Sequence, residues 1–264
     1  MNTLNLGLDR TILELRKYFR EKDQVFFSFL FPIMLLVLFS TVFGDQFAGS
    51  GITAGQFFLP GMVSAGILLT SFQSMALTVA TERDDGTLRR LHGTPTPPAA
   101  YFLGKVGLVA VTSLLQMALL LILARFAYDV PMPDSAARWG TFLWAFGLGV
   151  FSGTVLGIAY SSLATSARSA SAAVIGPVLI LQFISGVYFP FRDIPSWLQQ
   201  VASVFPLKWV AQGMRSVFLP DSMATEEMAG AWEHGRVALV LGAWAIAGLV
   251  LCLTTFRWTK RGSD

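Results

Sequence analysis

The sequence predicts an all-α polytopic membrane protein with six transmembrane helices. Three observations carry this. Of 264 residues, 54% are hydrophobic and only 13% are charged, whereas a soluble domain carries about 25% charged residues; too little polar surface remains to coat a soluble globule. Six charge-free stretches approach or exceed the roughly 20 apolar residues a helix needs to cross the hydrocarbon core. Lys and Arg concentrate between alternate stretches, the asymmetry that sets membrane orientation. The same composition excludes a disordered chain, which is charge-rich and apolar-poor.

The first element precedes any span. Leu8, Ile12, Leu15 and Phe19 recur at helical spacing, with Arg10, Glu14, Lys17 and Glu21 on other faces. Residues 8–22 are expected to form an amphipathic helix in the inner interface, basic residues toward anionic lipid. A plain topogenic basic N-terminus is the simpler reading of the same residues.

The spans are placed at 25–42, 57–80, 106–124, 139–164, 169–189 and 237–256. The first is too long for a signal-peptide h-region, and no small-residue cleavage site follows Val42. Pro32 and Pro177 fall inside spans one and five. Neighbours in a bundle re-satisfy the carbonyl a proline frees, so kinks are expected rather than breaks. Counting basic residues orients the chain. Arg10, Arg16, Lys17, Arg20 and Lys22, then Arg83, Arg89, Arg90 and Lys105, then Arg168, then Arg257, Lys260 and Arg261 share one side, thirteen of the nineteen Lys and Arg. That side, with both termini, is expected to be cytoplasmic. The net charge of +3 thus reports topology and not nucleic-acid binding.

The loop after span two is the most informative stretch. Glu82-Arg83-Asp84-Asp85-Gly86-Thr87-Leu88-Arg89-Arg90-Leu91-His92 suits a short solvated helix over 82–92, stopped by Gly93 and Pro95. The Pro-rich run to Pro98 then forces extended backbone before span three. On these residues alone, the loop is either a docking element or an ordinary solvated turn. Between spans five and six, residues 190–220 read as two amphipathic half-helices separated at Pro206, each too short to span. Ile194, Trp197, Leu198, Val201 and Phe205 make one apolar stripe, and Trp197 and Trp209 suit the headgroup level. Such backbone is tolerated when buried in protein, lining a cavity or lying at the interface; a structured outer loop without a transport role is the alternative.

The chemistry that is missing narrows the function. The six predicted spans contain no charge, which argues against proton-coupled transport. No G-x-x-x-x-G-K-[ST] phosphate loop occurs, so the chain does not hydrolyse ATP by that route. His92 and His234 lie outside the spans, as solvated loop residues, and neither builds a Ser–His or H-E-x-x-H site at depth. Cys252 is the single cysteine and no Cys/His cluster exists for a metal. A channel needs none of these. A transporter needs an energising partner, and the charged loop after span two is where one would attach.

Three features, in order, resemble the membrane subunit of ABC transporters, in the type-2 exporter family that includes drug-efflux permeases. They are the basic amphipathic helix before span one; Glu82 to Leu91 with Thr94-Pro95 and Gly104-Lys105, similar to the family's E-R-E-x-G-T-L…T-P…G-K stretch; and Pro190 to Phe218, with Pro195, Trp197, Pro206 and Gly213-Met214-Arg215, similar to its paired outer half-helices. Asp84 stands where glutamate is common and keeps the charge. The resemblance implies a permease without an ATPase site or bound cofactor of its own, in a prokaryotic inner membrane. Two copies, or one copy and a homologue, form the pore, and two ATP-binding subunits carrying ATP and Mg dock below. Residues 82–92 become the coupling helix. Glu82 and Arg83 carry the movement, with Asp84, Gly86 and Thr87 in the same element. Arg89 and Arg90 pair with acidic groups of the ATPase, and Leu88 and Leu91 fill an apolar cleft in it. The substrate path is lined by spans two and five, which carry Phe72, Gln73, Met75, Gln182, Phe183 and Tyr188; each also fits ordinary packing or lipid contact. The expected substrate is a hydrophobic or amphipathic compound such as an antibiotic. A lipid or lipid-linked glycan is the alternative within the class, and a channel or membrane scaffold the alternative outside it.

Overall fold

Among the described residues, ten helices carry the fold. The computed structural model describes residues 3–47, 49, 51–164 and 166–258, so Lys260 and Arg261 of the charge count lie outside it. Helix α1 is Thr3–Arg20 and α2 is Lys22–Val42. The turn Phe26–Leu30 of α2 widens to π-helical geometry just before Pro32; a proline cannot donate and crowds the preceding turn, and widening accommodates both. Helix α3, Ala54–Asp84, starts where the Thr53 hydroxyl accepts from the Gln56 N–H at 3.1 Å, and has its own π-helical stretch at Leu68–Gln73. Then follow α4 (Thr87–His92), α5 (Pro98–Tyr128), α6 (Ala136–Tyr160) and α7 (Ala167–Ile184). The outer segment holds α8 (Ser196–Val204) and α9 (Pro206–Phe218), and α10 is His234–Thr255.

Six helices are long and apolar enough to cross a membrane: α2, α3, α5, α6 with its following turn, α7 and α10. Their ends differ from the sequence expectation. Helix α3 runs on through Glu82 and Arg83, and α5 begins at Pro98, the favoured first-turn position for proline, so that Lys105 lies well inside it. Helix α7 stops at Ile184, and the chain turns through Gly186 at φ +70°. Tyr188 is therefore off the helix.

Helix α3 is the centre of the bundle and is buried almost continuously from Ala54 to Ser71. Leu143, Leu239, Ile246 and Leu253 face outward from α6 and α10, as helices bathed in hydrocarbon require. The segment after α7 folds back over α3 at Gly61. A Cβ there would fall 2.0 Å from the Val187 carbonyl oxygen.

The two outer half-helices part company. Helix α9 is buried from Leu207 to Phe218 against α3 and α6, and Gln56 Nε2 donates to the Phe218 carbonyl at 2.9 Å. Helix α8 turns Trp197, Val201 and Val204 outward. Trp209 is not at the surface: it is buried, and its indole N–H donates to Ser203 O at 2.8 Å. It forms part of the box around Lys208. That ammonium is 1% exposed, bonded to the Gln212 amide oxygen, 3.7 Å from the Trp209 ring centroid and 5.3 Å from that of Phe191.

Burial, only partly offset by the Glu227 carboxylate, pushes the Lys208 pKa down to about 8 from 10.5. The unfolded chain therefore binds more protons than the folded one between these values. Stability should rise as pH climbs from about 8 to 10.5, by up to about 1.4 kcal/mol per pH unit. Melting of the detergent-purified protein should show that slope and Lys208→Met should lack it; parallel profiles would disprove the assignment.

Candidate functional site: the clamp at the end of α3

Three consecutive side chains at the end of α3 point in three directions, because successive residues of a helix are about 100° apart. Each meets a different element. Glu82 accepts from Lys105 Nζ at 2.8 Å and from the Tyr101 hydroxyl at 2.9 Å, both on α5. Lys105 Nζ also donates to Glu14 of α1 at 2.8 Å, and Arg10 Nη2 lies 2.6 Å from the other oxygen of Glu14 and 3.8 Å from Glu82. Arg83 donates through Nη1 to the Ser161 carbonyl at 2.7 Å, through Nη2 to its hydroxyl at 3.1 Å, and through Nε to the Arg257 carbonyl at 3.2 Å. Asp84 accepts the Ala167 N–H at 3.1 Å, at the start of α7. The last turn of α3 thus holds α1 and α5, the ends of α6 and α10, and the beginning of α7.

Lys105 is 0% exposed. A buried ammonium is tolerable only when paired and hydrogen-bonded, and two carboxylates meet it. Arg10 and Lys105 balance Glu14 and Glu82, leaving the cluster neutral. Burial opposes ionisation of Glu14, but Lys105 and Arg10 outweigh it and hold its carboxyl below the usual range.

Beyond the clamp the chain reverses at Gly86, whose φ of +78° suits a residue without Cβ. The Asp85 carboxylate accepts the Thr87 N–H at 2.8 Å and starts α4. The expected single helix over 82–92 is therefore two pieces. Leu88 is fully buried in a cluster with Tyr18, Met75, Val79 and Tyr101, and half-buried Leu91 packs on it. The expectation that these leucines enter a partner's cleft is corrected for Leu88: it fastens α4 to its own bundle. Arg89, Arg90 and His92 stay exposed. Arg90 Nη2 donates to the Thr87 hydroxyl at 3.1 Å. His92 is more than a solvated loop residue; it stacks on Trp258, centroids 5.3 Å apart.

The six substrate-path candidates separate. Gln73 and Gln182 line one cavity between α1, α2, α3 and α7. Tyr188 donates to the Gln182 amide oxygen and is buried. Phe72 packs on Tyr160, centroids 5.4 Å apart; Met75 is sealed in the cluster under Leu88; Phe183 turns outward. The sequence reading missed Arg10, Glu14, Tyr101 and Lys105 as one cluster. A signal was present: Tyr101, Lys105 and Leu108 share one helical face, and the apolar run from Ala99 to Leu103 precedes Lys105. Among the described residues, no group of three His, Cys, Asp or Glu is placed to hold a metal.

Comparison with known proteins places these features. The family model described as "ABC-2 type transporter" matches residues 8–219. Over 191 residues, 72% of this chain and 51% of the relative, the sequence is 24% identical to the "Probable multidrug ABC transporter permease YbhR" of Escherichia coli (strain K12). Over 239 residues, 86% of this chain and 77% of the relative, it is 27% identical to the "Daunorubicin resistance ABC transporter permease protein DrrB1" of Streptomyces coeruleorubidus. Over 171 residues, 62% of this chain and 22% of the relative, it is 29% identical to "ABC transporter G family member 20" of Dictyostelium discoideum. The chain thus spans about half the length of the E. coli relative. The matched region runs from α1 into the residue after α9 and takes in Glu14, Glu82 and Lys105, and on this match the chain belongs to the ABC-2 type transporter family.

Proposed function

We propose that the chain is the membrane-spanning permease of an ATP-driven exporter in a prokaryotic inner membrane, both termini cytoplasmic, energised by two separate ATP-binding subunits. The observation that carries this is the pairing of a projecting basic helix with a clamp. Helix α4 offers Arg89 and Arg90 to an acidic partner while Leu88 fastens it to the bundle, and the adjoining turn of α3 grips five other helices. A displacement of α4 is delivered to all of them together. ATP and Mg would bind on the partner subunits. A second copy, or a homologue, would cover the apolar face that Ile180 and Phe183 leave outward on α7. Export of a hydrophobic or amphipathic drug is supported by the names of the E. coli and Streptomyces relatives.

Exposed ion pairs contribute only about 0.2–1 kcal/mol each, so both arginines must be reversed. The double variant Arg89→Glu, Arg90→Glu should insert and purify normally, yet lose at least tenfold in copurification with its ATP-binding partner and lose ATP-driven efflux. Normal copurification and efflux would overturn the coupling role of α4.

A further inference from the structure

We propose that the three residues following α10 form a strap, and that Trp258 is a positioning residue which carries the movement of α4 directly to α10. Helix α10 ends at Thr255, where Phe256 turns to extended backbone at φ −63° and ψ 130°. Phe256 packs on Tyr101 and Phe102 of α5, ring centroids 5.9 and 5.0 Å away. Trp258 packs on Phe256 at 5.0 Å and on Tyr101 at 5.7 Å. His92, the last residue of α4, stacks on it at 5.3 Å with the ring planes 21° apart. All these separations fall within the roughly 4.5–7 Å at which aromatic rings attract. Three residues of extended chain reach at most about 10 Å, so the strap has little slack to absorb a displacement.

A tryptophan at the end of a membrane helix ordinarily anchors among lipid headgroups, and would be exposed as Trp197 is, at 64%. Trp258 is half-buried instead, with protein rings around it. One of them belongs to the clamp: the Tyr101 hydroxyl donates to Glu82 at 2.9 Å, and Lys105 Nζ lies 5.3 Å from the Tyr101 ring centroid. Trp258 thus touches α4 and the clamp at once. The clamp alone grips α10 least. Glu82 and Asp84 reach α5 and the start of α7 directly, whereas Arg83 meets α10 only beyond its end, through the Arg257 carbonyl at 3.2 Å. That bond ties the strap to α3; the stack on His92 ties it to α4. A reporter stands one turn back. Cys252, the single cysteine of the chain, accepts the Phe256 N–H at its carbonyl, 3.1 Å away. Its side chain is buried with Leu88 and Tyr101 in the cluster on which Phe256 and Trp258 pack.

The strap rests on the exporter reading, since α4 moves only if an ATP-binding partner drives it. The test uses the full chain with its copurified ATP-binding subunits in proteoliposomes. It follows labelling of Cys252 by N-ethylmaleimide, read on this chain, without nucleotide and with ATP plus vanadate. A buried thiol labels only through local opening, and its rate should differ about threefold or more between the two states. Trp258→Ala should remove that difference while ATP hydrolysis stays within about twofold of the unmodified complex; Trp258→Phe, which keeps a ring, should preserve both. A role in folding alone would lower hydrolysis and the labelling response together, and that result would overturn the proposal. So would a full response in Trp258→Ala. Should that variant fail to fold, His92→Ala at the exposed end of α4 decides, because the stack needs both rings. No hydrolysis by the unmodified complex would sink the exporter reading and the strap with it. Hydrolysis with Cys252 labelling alike in both states would sink the strap alone.

Discussion

Lys105→Met should destabilise the protein by about 3–5 kcal/mol, the cost of removing one partner from a buried ion pair. The ammonium is wholly buried between Glu14 and Glu82, each 2.8 Å away. Its loss leaves two buried carboxylates with Arg10 as their one counter-ion. Against a typical stability of about 5–15 kcal/mol this is a large fraction, and the yield of monodisperse protein should fall with it. Neutralising the acids in the same background, with Glu14→Gln and Glu82→Gln, should restore much of the loss, because uncharged hydrogen-bonding groups then occupy the space. Melting in detergent checks both. An unchanged single variant would show that water reaches the cluster and screens it.

The second large effect is expected at Gly61. A methyl group there would sit 2.0 Å from the Val187 oxygen and 2.9 Å from its carbonyl carbon, both backbone atoms. Backbone on each side leaves no flexible side chain to give way. Overpacking usually costs about 1–3 kcal/mol and occasionally more; here the segment after α7 must lift off α3. Gly61→Ala should therefore abolish recovery of folded protein. Gly147→Ala on α6 is the matched control: a Cβ there meets nothing within 4 Å, and alanine improves helix propensity by about 0.8–1.0 kcal/mol. Equal melting of the two variants would refute the close approach.

The existence of six long apolar helices was legible because apolar runs survive any arrangement of neighbours. Their ends were not. Lys105 and Glu82 read as limits of spans when each is considered alone, since an isolated charge stops a membrane helix. In the fold each answers the other across 23 residues of sequence, and the helices continue past both. The break at Gly86 had a local signal, a glycine set among the weak helix formers Asp84, Asp85 and Thr87, but the separate orientation of α4 depends on where Leu88 finds its pocket. Which of Phe72, Gln73 and Met75 share a face was not legible, for a related reason. The π-helical stretch at Leu68–Gln73 takes more than 3.6 residues per turn, so counting at 3.6 across it loses phase. Gln73 reaches the cavity while Phe72 and Met75 turn to the packed side. Gln182 lies on regular helix, among the residues around the same cavity.

The neutral cluster also sets an order of synthesis. Arg10 and Glu14 are one helical turn apart and pair as soon as α1 forms. Glu82 emerges next, and its ammonium partner is made 23 residues later on α5. Until then α3 holds a carboxylate that cannot settle in an apolar interior, so its final turn must wait at the aqueous edge. The most buried helix of the bundle is thus expected to reach its resting depth only after the ribosome has delivered the helix that follows it.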